Sequence, residues 1–323
     1  MNENKNIAAD SSELFGLTLD GRGGALPLMT EDDGISTTWM HGDYSSANAE
    51  EWLSGMGLSK SAITMLTRAD TRPRSLKTDN GVLVVLRGVN LNPGADQDDM
   101  VSIRFWLESR RLISLRQRRL FSVEDVRNDL DAGTGPCDIG GLLTQLIERI
   151  ANRVADFVDS LEEKVDEFEL AVESGPTIKT RSEVSMVRRQ IAHVRRYLAP
   201  QREALEGLRR GLPNWLGEYA DSISEESDRI ARYIEDLDLA RERTVLLQEE
   251  ILNRIAMEQN TRMFALSIAA IIFLPITFVT GLFGMNVGGL PGTDNASAFW
   301  IVSAVMVSIT LAVVAWLSWK RWF

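Results

Sequence analysis

From Met263 to Thr293 the chain carries no Asp, Glu, Lys, Arg or His, and a second uncharged run follows from Ala296 to Trp319. Within them, 263–283 and 296–319 each supply about the 20 apolar residues needed to cross roughly 30 Å of hydrocarbon. A Lys or Arg at the centre of such a run would cost roughly 2.5 to 3.5 kcal/mol on insertion, and neither run contains one. Two membrane spans are therefore expected; the competing reading is a buried hairpin inside a soluble core.

The flanks give an orientation. Arg254 and Arg262 precede the first run, Lys320 and Arg321 follow the second, and the connection between them has no Lys or Arg. The positive-inside rule then places both termini on the cytoplasmic side. Met1 to Asp10 lacks the apolar core of a signal peptide, which predicts that the body before the first span stays in the cytoplasm. The single cysteine, Cys137, excludes an intrachain disulfide and fits a reducing compartment. A net charge of −11 argues against a nucleic-acid partner, which would require a basic footprint, and either concentrates cations near the body or simply keeps it in solution.

Three segments are expected. Residues 1–140 alternate short β-like runs (Leu14 to Leu19, Ser36 to Met40, Val82 to Val89, Val101 to Leu107, Arg111 to Leu115) with helical pieces (Asn48 to Gly55, Ser59 to Arg68, Phe121 to Leu130) and read as an α/β domain. After a breaker region from Gly133 to Gly141, residues 141–262 become helical. Leu143, Ile147, Ile150, Val154, Phe157 and Leu161 recur every three or four positions until Gly175-Pro176. A second run shows Val184, Val187, Ile191, Val194 and Leu198 on one face before Pro200. The two predict an antiparallel hairpin whose acidic first arm and arginine-rich second arm pair across it; the alternative for the acidic arm is a cation-sensing surface. A third run from Ser222 meets no Gly or Pro before Pro275, so it is expected to enter the first span unbroken. Such a helix would be about 90 Å long at 1.5 Å per residue, which suggests a stalk bundled with copies of itself. Residues 263–323 form the membrane part, with an outer loop at 284–295.

Two helices, each roughly 10 to 12 Å across, cannot enclose a water-filled path, so transport would require a homo-oligomer in the lipid bilayer. On the first span Met263, Leu266, Ala270, Leu274, Thr277 and Gly281 share one helical face leading to Gly284, and this is the candidate pore lining. It is apolar apart from Thr277, as in a hydrophobic constriction. Asn286, in Gly284-Met285-Asn286, offers a carboxamide oxygen to a hydrated cation, or is an ordinary turn former.

Gly284-Met285-Asn286 after an apolar span containing Pro275-Ile276-Thr277, then a short loop and a last span with a basic tail, resembles the CorA family of divalent-cation transporters. The resemblance covers the whole layout. It implies an α/β cytoplasmic domain, a helical hairpin, a stalk helix entering the first span, and a homopentameric funnel with Gly284, Met285 and Asn286 as selectivity element. The magnesium branch usually continues with an aromatic residue and Met-Pro-Glu, whereas this chain reads Val287-Gly288-Gly289-Leu290-Pro291-Gly292. Thr280 to Gly289 is instead similar to the zinc-transporting ZntB branch. This implies zinc as the transported ion, carried inward with protons, and no resident cofactor; a magnesium or general divalent-cation channel is the alternative. Neither span offers an Asp, Glu or His as proton carrier, and Asp294 is the nearest candidate.

Zinc favours Cys and His ligands, yet Cys137, His41 and His193 form no ligand-spaced pair, and each reads as packing or surface. By analogy with the magnesium branch, Glu225 and Glu249 on the stalk are candidate regulatory cation sites. No enzymatic constellation stands out, since Gly21 to Gly24 lacks the strand-turn-helix setting of a phosphate loop. The reading from a different class is a membrane-anchored oligomeric scaffold or sensor.

Overall fold

The computed structural model describes residues 15–28, 36–69, 72–174, 178–285, 288 and 297–319. The chain forms two compact units, Met1–Gln248 and Glu249–Phe323.

The first unit is built on a seven-stranded sheet in the order β2-β1-β3-β7-β6-β5-β4. Its strands are β1 (Phe15–Leu19), β2 (Ala25–Pro27), β3 (Thr38–Asp43), β4 (Arg74–Lys77), β5 (Val82–Gly88), β6 (Val101–Leu107) and β7 (Arg111–Arg116). All neighbours pair antiparallel except β3 and β7, which are parallel. The five expected strands all form, within three residues at their ends. The two that sequence reading missed, β2 and β4, are the short edge strands. Pro27 is tolerated in β2 because an edge strand has a side without ladder bonds.

Val82 to Leu86 is buried at every position, as a central strand covered on both faces must be. On one face Leu83, Val85, Trp106, Ile113 and Leu115 pack against Leu53, Ile63 and Leu66 from α1 (Ala49–Gly55) and α2 (Lys60–Thr67). The Ser59 side chain caps α2 by accepting from the Ala62 amide at 3.2 Å. Two long helices, α4 (Ile139–Ser174) and α5 (Ile178–Arg210), pack against β4, β5 and β7, and α3 (Phe121–Asp131) packs on α4. Because β4 is short, the Arg87 amide runs past its end, and the buried Gln201 carboxamide oxygen of α5 accepts from it at 2.6 Å.

Helix α4 (Ile139–Ser174) starts inside the stretch read as a breaker, so the glycines there need another explanation. A Cβ on Gly140 would lie 2.2 Å from the Tyr219 ring, so glycine is present to let that ring close over the helix. Tyr219 ends a 3-10 helix (Asn214–Tyr219), and its hydroxyl donates to Asp138 at 2.8 Å. Burial, and then this bond, push the phenol pKa up. Helix α5 (Ile178–Arg210) runs through Pro200 without a break, despite the interior hydrogen bond that proline removes.

Helix α6 (Ala220–Phe283) is one element through Pro275, as expected, and α7 runs Ala298–Trp319. The C-terminal part of α6 and the whole of α7 are long and apolar enough to cross a membrane. The expected pairing of acidic and basic arms is corrected at several positions, where the partner is on α6. Asp166 and Glu169 of α4 bind Arg243, while Arg195 of α5 binds Asp238 and Arg188 donates to Gln248 at 2.9 Å. α6 supplies the opposite charge to each arm, Arg243 to α4 and Asp238 to α5.

Gly140→Ala is expected to destabilise the first unit by about 1 to 3 kcal/mol through overpacking against Tyr219. Chemical denaturation of the purified protein, followed by tryptophan fluorescence, measures it; Gly141→Ala, whose Cβ meets nothing closer than 3.4 Å, is the control.

Candidate ion pathway along the long helix

In the second unit α6 has two unlike sides. Met263, Leu266, Ala270, Leu274, Thr277 and Gly281, the expected pore face, are all exposed, Leu274 at 73%. Ile268, Ile272, Pro275, Ile276 and Val279 are half-buried and point the opposite way at 100° per residue. α7 carries its own covered stripe in Ala298, Val302, Met306, Ile309, Val313 and Leu317, at steps of three or four.

The hydroxyls on this stretch differ in what they bind. Ser267 donates to the Met263 carbonyl at 2.9 Å, and Thr280 to those of Ile276 and Thr277 at 3.0 and 3.1 Å. These side chains are satisfied by their own helix, the usual solution in an apolar environment. Thr277 makes no such bond among the described residues, which leaves its hydroxyl available on the exposed side. The Gly284 amide donates to the Thr280 carbonyl at 2.9 Å as the helix ends, and a Cβ on Gly284 would sit 2.9 Å from that same oxygen. Glycine is what permits this close stop. Met285 is exposed; Asn286, Asp294, Lys320 and Arg321 lie outside the described residues.

The exposed side has a counterpart within the first unit that sequence reading did not single out. Asp228, Glu235 and Glu242 recur every seven residues beside Arg232, Leu239 and Leu246, all exposed, with Leu239 at 57% and Leu246 at 65%. The seven-residue spacing was the available signal, since it marks the seam of helices that pack against copies of themselves.

Glu225 lies at the rim of an open cavity of about 520 Å³ with Glu148, Glu226 and Arg229. Burial raises the pKa of Glu226, and Arg229, held at 3.0 Å, opposes the rise. Glu249 is exposed in the other unit, and no group of three or more metal-ligating side chains occurs among the described residues. Cys137 is exposed, and His193 sits 3.1 Å from Asp98.

His41 is buried with both ring nitrogens engaged. Arg116 donates to Nε2 at 2.8 Å, so Nδ1 carries the proton and donates to the Ser114 hydroxyl at 2.7 Å. Ser114 also accepts from the Trp39 indole at 2.9 Å, and Phe15 stacks on the imidazole. No lone pair remains for a metal, and the histidine is a packing element.

A family model described as CorA-like Mg2+ transporter protein matches residues 35–321. The chain belongs to this CorA family. It is 38% identical to the divalent cation transporter CmaX of Pseudomonas aeruginosa over 322 residues, covering 95% of each chain. It is 32% identical to the zinc transport protein ZntB of Yersinia enterocolitica over 318 residues, covering 97% of this chain and 96% of that one. The solved structure of full-length CmaX superposes with a TM-score of 0.82 at 36% identity, over 97% of this chain and 99% of that one. The mixed sheet domain, long helix and two apolar C-terminal helices are thus those of the CorA fold, in a family of transporters.

Burial, followed by the charge of Arg127, lowers the His41 pKa from 6.5 to about 3. A depressed folded-state pKa contributes stability that is complete above pH 6.5 and lost as pH falls toward 3. Acid unfolding should therefore steepen by up to about 1.4 kcal/mol per pH unit below 6.5. His41→Gln should flatten this slope, as read by denaturation midpoints between pH 4 and 7.

Proposed function

We propose that this chain is a zinc transporter of the inner membrane, working as a homopentamer whose five α6 helices line the ion path. The observation that carries the reading is the uniformly exposed face from Met263 to Gly281, set opposite the half-buried stripe of the same helix. An apolar face left open by the chain's own packing needs either lipid or further copies, and the unbonded Thr277 hydroxyl favours an aqueous side. The name of the ZntB relatives supports zinc, and so does the similar sequence around Gly284-Met285-Asn286.

In this reading residues 1–140 form the cytoplasmic domain, 141–262 the hairpin and stalk, and 263–323 the membrane part, with both termini cytoplasmic. Asn286 meets the hydrated ion at the outer mouth, and five neutral carboxamides hydrogen-bond its water shell before any water is lost. Gly284 and Met285 set the turn that presents it. Zinc moves inward with protons, for which Asp294 is the candidate carrier. Glu249, on the exposed side of α6, meets cations in the vestibule, and Glu225 does so at its cavity. General divalent-cation transport is the second reading, favoured by the 38% identity to CmaX.

Proteoliposomes holding the purified protein should take up zinc, faster with an inward proton gradient. Asn286→Ala should lower the flux about tenfold or more, equivalent to about 1.4 kcal/mol of recognition. Thr277→Val should lower it less. Magnesium flux insensitive to the gradient would select the second reading, and absence of flux for either ion would leave an anchor or scaffold.

A further inference from the structure

The first unit gives α6 three distinguishable sides. Asp238 and Gln248 bind α5, with Arg241 on the same side, whereas Arg229 and Arg243 bind Asn152, Asp166 and Glu169 of α4. Glu235, Leu239, Glu242 and Leu246 occupy the third, exposed side. At 100° per residue the directions toward α4 and α5 lie about 90° and about 115° to either side of the exposed one. If the exposed side faces the axis of a ring of copies, α4 and α5 look outward in opposite tangential directions, each toward a different neighbour.

Those two flanks are oppositely charged. Along α4, Asp156, Glu163 and Glu167 are exposed and have no cationic partner among the described residues. Between α5 and α6 lies a groove of about 380 Å³ lined by Ser185, Arg188, Arg189, Arg241 and Gln248. Arg188 is bonded to the neutral Gln248, and Arg189 and Arg241 have no carboxylate partner among the described residues. One flank thus presents uncompensated anions and the other uncompensated cations.

We propose that these flanks are the two halves of one interface, in which the α5–α6 groove of each copy receives the acidic α4 edge of the next. The contact is heterologous, since the patch used on one copy differs from the patch used on its neighbour. Such a contact, repeated with the right rotation, closes into a ring. The opposite charges set the order of the flanks and exclude a face-to-face dimer, in which like charges would meet. The proposal rests on the homo-oligomer of the preceding reading and goes beyond it by naming the surfaces.

The full-length protein in detergent, observed by native mass spectrometry at several dilutions, tests it. Reversing the groove (Arg189→Glu with Arg241→Glu) or the edge (Glu163→Arg with Glu167→Arg) should each raise the concentration for half-dissociation about tenfold or more, and combining both reversals in one chain should restore it. Independently of folding effects from charge reversal, a Cys137→Ser chain carrying Arg189→Cys and Glu163→Cys should give covalent oligomers on oxidation. Either single cysteine should give dimers at most. Assembly at wild-type strength with either flank reversed, or an intact oligomer that the cysteine pair leaves uncrosslinked, overturns the interface while leaving the oligomer in place. Inorganic phosphate binding in the groove with assembly unchanged also overturns it. A wild-type chain that is monomeric at all concentrations overturns the oligomeric reading itself, and the interface with it.

Discussion

A peptide group that enters hydrocarbon leaves water behind and has to bring its hydrogen-bond partner with it, because an unsatisfied amide or carbonyl there costs several kcal/mol. In this chain that constraint selects two continuous helices, and it also accounts for smaller choices made along them. Ser267 and Thr280 turn their hydroxyls back onto carbonyls one turn earlier, and Gly284 ends α6 with its amide still bonded to Thr280. Against that background Thr277 stands out on α6 among the described residues, a hydroxyl that its own helix does not occupy.

The part of α6 that belongs to the first unit is organised by charge where the second is organised by its absence. Arg229, through its bond to Asn152, and Arg243 and Asp238, through ion pairs, hold it against α4 and α5. Exposed pairs of this kind contribute roughly 0 to 1 kcal/mol each, so they act more as register marks than as the source of stability. Stability comes from beneath, where Ile223, Ile230, Leu237, Thr244 and Leu247 of α6 are buried. The same residues explain why the hairpin arms do not simply neutralise one another: the third helix offers both a cation to α4 and an anion to α5.

Much of this was legible in the sequence because it rests on periodicity. Val82 to Leu86 of β5 is a continuous apolar run, β6 and β7 are mostly apolar around Ser102, Arg104 and Ser114, and the long helices repeat their apolar residues every three or four positions. β2 and β4 were not legible, since an edge strand of three or four residues buries too little to leave a pattern. The start of α4 was misread because a glycine that makes room for an aromatic ring looks, in sequence, the same as one that breaks a helix. For the pathway, the face from Met263 to Gly281 was readable from its 100° geometry. The exposed seam at Glu235, Leu239, Glu242 and Leu246 was not, because alternating acidic and leucine positions resemble an ordinary amphipathic surface until the other sides of the helix are seen to be covered.

The exposed acids of the first unit, Glu235 and Glu242, are two helical turns apart, a rise of about 10.5 Å. That separation is close to the roughly 8 Å over which a charge is screened at physiological ionic strength. In the proposed ring, neighbouring rungs of such a ladder overlap in their reach, so a cation between Glu235 and Glu242 stays within reach of one or the other. A field of this kind sorts ions by sign and barely by element, and it weakens as salt rises. On the proposed path, choosing one metal over another then falls to the segment without any charge, where an ion has only dipoles and its own water shell to bargain with.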